Sequence, residues 1–278
     1  MTFQKFLASA AFTIGLTIAN QASAGPIFLT GHDPDFHSVE SLGAQTLLKA
    51  GLNFVTGGTY DDGGAGNKFL WVESRISVPG GHRVGENGLG LVGLTLGVNY
   101  DRANAAEFAT VNLSSYTAIV IASSFGGLLT RDELDALIAR KTDIAAFVNT
   151  GRGLMALAEC DNCGADLLGV NPNLFGYLPL PGVVATGTSG PYTVTAAGNA
   201  APFFLTSADL NDPTHNSFSS TGGLLVLDTQ PDGNAVTLAG NVGITETEFT
   251  PSGAPAPGAL ALVGLGLFGL GALRRRSK

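Results

Sequence analysis

Residues 116–158 read YTAIVIASSFGGLLTRDELDALIARKTDIAAFVNTGRGLMALA. Within them, Thr117 to Ala122 are apolar after the first position and β-branched at the centre, the composition of a strand buried on both faces. Ser123 to Gly127 make a turn. Thr130 with Glu133 three residues on has the spacing of a capping box. Leu134, Leu137, Ile138, Ile144 and Phe147 then recur at helical intervals as far as Asn149. Gly151-Arg152-Gly153 end this single predicted helix, and Leu154 to Ala158 are strand-like again. A strand, a helix and a strand in that order predict a parallel sheet and an α/β fold.

The same alternation is predicted nearer the N-terminus. Ile27 to Thr30 form a strand, and Val39 to Ala50 a helix capped by Ser38 and stopped by Gly51. Leu52 to Val55 would be the next strand. TGGTYDDGGAGNK (56–68) reads as a Gly-rich loop. Phe69 to Val78 can be a strand, and GGHRVGENGLGLVGLTLG (80–97) a loop with a weak strand or short helix. GGAGNKF is no phosphate loop, because the spacing before Lys68 is wrong and no Ser or Thr follows it. Past Cys163, residues 167–181 read as loop, YTVTA (192–196) as an edge strand and Phe203 to Asp209 as a short helix. Leu224–Asp228 and Ala235–Ala239, separated by TQPDGN, predict a late β-hairpin.

The ends of the 278-residue chain have a different character. Lys5, an apolar run from Phe6 to Ala19, and Ala22-Ser23-Ala24 form the layout of a signal peptide (1–24), with Ala22 and Ala24 set for a signal peptidase. The segment between the two ends carries nine basic against 22 acidic residues, a formal net charge of −13. A body so acidic excludes nucleic acid as a partner, since that binding rests on Lys and Arg neutralising phosphates. Cys160 and Cys163 are the only cysteines. In an exported protein they are expected as a disulfide. A redox C-x-x-C would need a thioredoxin-like setting that is missing, and a metal site needs more than two thiols.

Ligands of parallel α/β sheets bind at the carboxyl ends of the strands. His32, Asp33, Asp35 and His37 follow the first strand, Ser123 and Ser124 the central one, and Glu159 the next. His215 can fold back toward them. The residue types suit a divalent metal held by His32, Asp33, Asp35 and His37, or acid–base chemistry by His32, His37, Glu159 and His215. They equally suit turns and helix caps, as Asp33-Pro34-Asp35 does.

LTGHDPDFHS, YTAIVIAS, the capped helix, RGLMALAE and THNSFSSTGGLLVLDT together resemble the class I glutamine-amidotransferase-like fold, in particular its ThuA-like branch. The resemblance covers most of residues 26–242. It implies a flavodoxin-like three-layer sandwich over a domain spanning 25–245. Catalytic members carry a cysteine nucleophile at the elbow after the strand; the matching place here is Ala158. Their late histidine matches His215, but Ser217 replaces its acidic partner. The link of ThuA-like proteins to sugar metabolism makes a saccharide the first ligand to consider.

After a linker (246–254) the chain ends APAPGALALVGLGLFGLGALRRRSK. Sixteen uncharged residues, Gly258 to Leu273, are slightly short for a membrane span of roughly 20 residues. This predicted helical tail, 255–278, resembles the PEP-CTERM sorting signal: a Pro-x-Pro motif (Pro255-Ala256-Pro257), a Gly/Leu-rich helix and a basic stop (Arg274, Arg275, Arg276). That resemblance implies transient membrane anchoring, recognition by an exosortase in Gram-negative bacteria that make exopolysaccharide, and release to the outer surface or extracellular matrix. Ala256 stands where Glu is usual. The basic cluster fits the cytoplasmic side.

Overall fold

The computed structural model describes residues 24–60, 66–161, 167–245 and 249–251. The predicted signal peptide up to residue 23 and the tail from residue 252, with its Pro-x-Pro motif, Gly/Leu run and basic stop, lie outside the described residues.

The chain runs β1 (Pro26–Thr30), α1 (Pro34–His37), α2 (Leu42–Thr56), β2 (Phe69–Val72), α3 (Glu86–Leu91), β3 (Tyr100–Ala103), α4 (Ala105–Phe108), β4 (Ala118–Ile121), α5 (Arg131–Ala139), α6 (Lys141–Asn149) and β5 (Gly153–Ala156). It continues as β6 (Val183–Thr188), β7 (Thr193–Val194), α7 (Ala196–Asn199), β8 (Thr214–Phe218), β9 (Leu225–Thr229), β10 (Ala235–Ile244) and β11 (Phe249–Pro251). The sheet order is β3-β2-β4-β5-β1-β10-β8-β6. The first five of these strands are parallel, with Ile119 beside Leu154 and Phe28 beside Met155. From β10 outward the pairing is antiparallel. The protein is thus α/β with a mixed sheet, consistent with a flavodoxin-like fold.

β1, β2, β4 and β5 bury nearly every residue because sheet neighbours and packed elements enclose both faces. The predicted strand at Leu52–Val55 is instead the last part of α2, and the next strand is β2. Gly51 does not stop that helix. It lies where α2 crosses the sheet, and a Cβ there would stand 2.5 Å from Met155 Cε and 3.0 Å from Phe28 Cδ1. The stop is Gly57, at φ 64°, whose N–H donates to the Asn53 carbonyl. Ser38 does not cap this helix; Ser41 does, accepting from the Ala44 N–H.

The single helix predicted up to Asn149 is two helices. Arg140 breaks it at φ −103°, ψ 18° and donates to the carbonyls of Phe108 and Val111. Glu133 accepts from the Thr130 N–H as the capping spacing required, and also from the Ala105 N–H at the start of α4. Glu86–Leu91 is the short helix allowed for, and the β9–β10 hairpin is present. Phe203–Asp209 is not a helix: Phe203 turns inward against Phe28 and Phe54, while Phe204, at φ 52°, is exposed. Part of the predicted linker is structured, because β11 pairs with Val242–Ile244.

Candidate functional site

The carboxyl ends of the parallel strands meet the start of β8, and polar side chains fill the junction. β1 passes into Gly31, which is pressed so closely on β8 that a Cβ would lie 1.8 Å from the Asn216 carbonyl oxygen. The His215 N–H donates to the Gly31 carbonyl, and His32 bridges to Thr214. These contacts draw the late histidine back to the loop after β1, as the sequence allowed. Thr214 to Ser217 are all buried although none is apolar. Hydropathy therefore hides β8 as a strand.

Asp33 is the centre of the junction. Its Oδ1 lies 3.3 Å from His215 Nε2 and 3.5 Å from His37 Nε2. It is 1 % exposed, and neither carboxylate oxygen has a hydrogen-bond partner among the described residues. Burial pushes its pKa well up, against the pull of His37. The His215 ring lies over Phe125 at 4.0 Å between centroids. Burial, then the nearby His32, push its pKa down to about 4. Both partners therefore shift toward their neutral forms. His37 is the more accessible of the two imidazoles and also meets Glu40 at 3.2 Å.

The other predicted residues point elsewhere. His32 is fully buried, with Nε2 3.2 Å from Asp228 and Nδ1 3.1 Å from the Asp212 carbonyl. Burial opposes its charging, but the bond and charge of Asp228, with Asp212 and Asp33, prevail and raise its pKa. Asp35 accepts from the N–H groups of Ser123 and Phe36 and so ties α1 to the turn after β4. Glu159 turns into the interior, accepting from the Tyr177 hydroxyl at 2.7 Å and the Phe175 N–H at 2.5 Å. Burial raises its pKa to about 7. His32, though close to the Asp33 cluster, and Glu159 thus bond to other partners, and of the predicted acid–base set His37 and His215 are the two that meet Asp33.

Of the ligand set His32, Asp33, Asp35 and His37, only Asp33 and His37 meet, while His32 bonds to Asp228 and Asp35 to the Ser123 N–H. Among the described residues no group of three or more His, Cys, Asp or Glu is arranged to hold a metal ion. At the elbow position, Ala158 is buried and its N–H donates to the His32 carbonyl. Cys160 is buried and disulfide-bonded; Cys163 lies outside the described residues.

Glu73, at the end of β2, is a buried acid that pattern reading missed. Burial lifts its pKa to about 7, although the Gly85 N–H, Arg102 and the Trp71 indole all favour its carboxylate. Its position just past an apolar strand, FLWVE, was the available signal. Compared with known proteins, the chain matches no family model, no curated protein and no solved structure.

Proposed function

We propose that this is an exported protein, sorted by an exosortase to the cell surface or extracellular matrix, whose α/β domain is not catalytic. In this reading the domain is a three-layer, class I amidotransferase-like sandwich kept as a stable acidic module. The signal-like N-terminus and the Pro-x-Pro, Gly/Leu, Arg tail support the route. The observation that carries the non-catalytic reading is the inward commitment of the strand-end polar groups: His32 to Asp228, Asp35 to Ser123 and Glu159 to Tyr177. Polar groups satisfied by each other stabilise a unique core and leave little to offer a substrate. The test is the intact mass of the protein recovered from membrane, surface and medium of its host. The expected surface form lacks residues 1–24 and the segment after the Pro-x-Pro motif. A surface form that retains GALALVGLGLFGLGALRRRSK would make the tail a plain anchor and remove the sorting part of the proposal.

A second reading, an exported acid–base hydrolase or isomerase, is favoured by one feature. Asp33 is buried between two imidazoles, and among the described residues no other side chain donates to its carboxylate. Buried carboxylates with raised pKa values are characteristic of acid–base sites. Asp33→Asn and His215→Ala, assayed on carbohydrate esters and saccharides, test it: turnover by the parent chain that both substitutions abolish supports this reading, and no turnover by the parent sinks it.

A further inference from the structure

We propose that β6 is a self-association edge, across which two copies of this chain join their sheets by antiparallel pairing of β6 with β6. β6 ends the sheet: it pairs with β8 on one side, and among the described residues no strand flanks the other. None of its six residues is buried, and Val184 is 44 % exposed. Its sequence, VVATGT, is β-branched at four positions and carries no charge. Exposed edges of this kind are normally guarded by charge, Pro or a covering element. The opposite end of the same sheet is guarded. There β3 carries Asp101 and Arg102, paired with Lys68, Glu73 and Glu86.

The charge pattern points to a second copy as the occupant. Residues 167–208 contain no Asp, Glu, Lys, Arg or His, 42 positions in a body of formal net charge −13. Two copies of so acidic a chain repel one another over most approaches. β6 lies within this uncharged stretch, which adds no charge repulsion of its own and offers a basic partner little to grip. A cavity of about 310 Å³ opens beside the strand, lined by Leu174, Leu180, Val183 and Ala185, with Asp161 the only charged residue on its wall among the described residues. It offers room for side chains of an added strand. The edge also lies away from β11, the last described strand: β8 meets the chain at His32, beyond one end of β1, whereas β11 pairs with Val242–Ile244, beyond the other. Pairing one strand with its own copy is an isologous two-fold contact, which closes after two subunits.

The test uses the full chain in detergent micelles, by sedimentation at concentrations up to about 100 μM, where a single-strand interface should register. The expected result is a reversible dimer. Thr186→Cys should cross-link it on oxidation, whereas Leu42→Cys, an exposed position remote in sequence, should not. Val184→Lys/Thr186→Lys should weaken association about tenfold or more by placing like charges on the shared edge. A monomeric parent chain overturns the proposal. So does a dimer that persists in the lysine variant, or cross-linking at Thr186 no greater than at Leu42. The cysteine readout adds no charge to the edge, so it stands even if the lysine pair disturbs folding.

Discussion

The Nε2 of His215 lies 3.3 Å from Oδ1 of Asp33, although 182 positions separate them in the chain. The contact exists because β8 returns antiparallel to the sheet and bonds to Gly31 through the His215 N–H. Neither residue gains a full charge easily there, and the pair sits where a parallel sheet presents its ligands.

Asp33→Asn should stabilise the domain at pH 8 and do little at pH 3, below the unfolded pKa. A carboxyl whose folded pKa is raised opposes folding above its unfolded pKa, and a neutral amide of the same shape removes that cost. An increase in melting temperature of a few degrees, about what 1 kcal/mol gives, is expected. A fall at pH 8 would mean that the carboxylate itself holds the turn together.

Glu159 sets a pH dependence of stability. Its folded pKa, about 7, is above the unfolded value, so its unfavourable contribution grows as pH rises from the unfolded value through 7. Glu73 acts in the same sense. His32, with its raised pKa, contributes stability at low pH that is lost as pH rises through its folded value. His215, with its lowered pKa, opposes the trend only below its unfolded value near 6.5. Melting temperature should therefore climb as pH falls from 8 to 6.5, and Glu159→Gln should flatten that climb. An equally steep profile in the variant would remove Glu159 as a cause.

Three glycines should respond in different ways. Gly31→Ala drives a methyl into the Asn216 backbone, with no flexible side chain to yield. It should cost more than about 3 kcal/mol, or prevent folding. Gly51→Ala meets the mobile end of Met155 first, so a smaller loss, about 1–2 kcal/mol, is expected. Gly57→Ala has free space but a left-handed φ of 64°, and should cost about 1 kcal/mol. Denaturant midpoints of the three variants check the order.

Reduction should destabilise the protein through Cys160. A short disulfide loop gives roughly 2 kcal/mol on chain-entropy grounds. The Cys160→Ser/Cys163→Ser variant should show the same loss without reductant, and no response to it. A parent chain indifferent to reductant would contradict this.

Much of the parallel half of the fold is legible in the amino-acid sequence. β1, β4, the capped helix, β5 and the hairpin carry their signal locally, as buried β-branched runs, a capping box and a D-G turn. The failures share a cause. Leu52–Val55 looks like a strand because Gly51 looks like a stop, yet that glycine is required by Met155 and Phe28 from other strands. β8 carries no strand signal because its buried residues are polar, and they are buried by β10 and β6 on either side and by the residues after β1 and β5 that meet them.

The amino-acid sequence by itself determined the α/β class, the acidic body, the composition of the two ends and the clustering of His32, Asp33, Asp35 and His37 after the first strand. These are local or additive properties, set by neighbours along the chain or by counting charges. Only the tertiary structure decided which of those side chains share a site. It sent His32 to Asp228 and Glu159 to Tyr177, and brought His215 to Asp33. A side chain's partner depends on strand order and register, and those are settled by burying apolar surface between residues far apart in sequence.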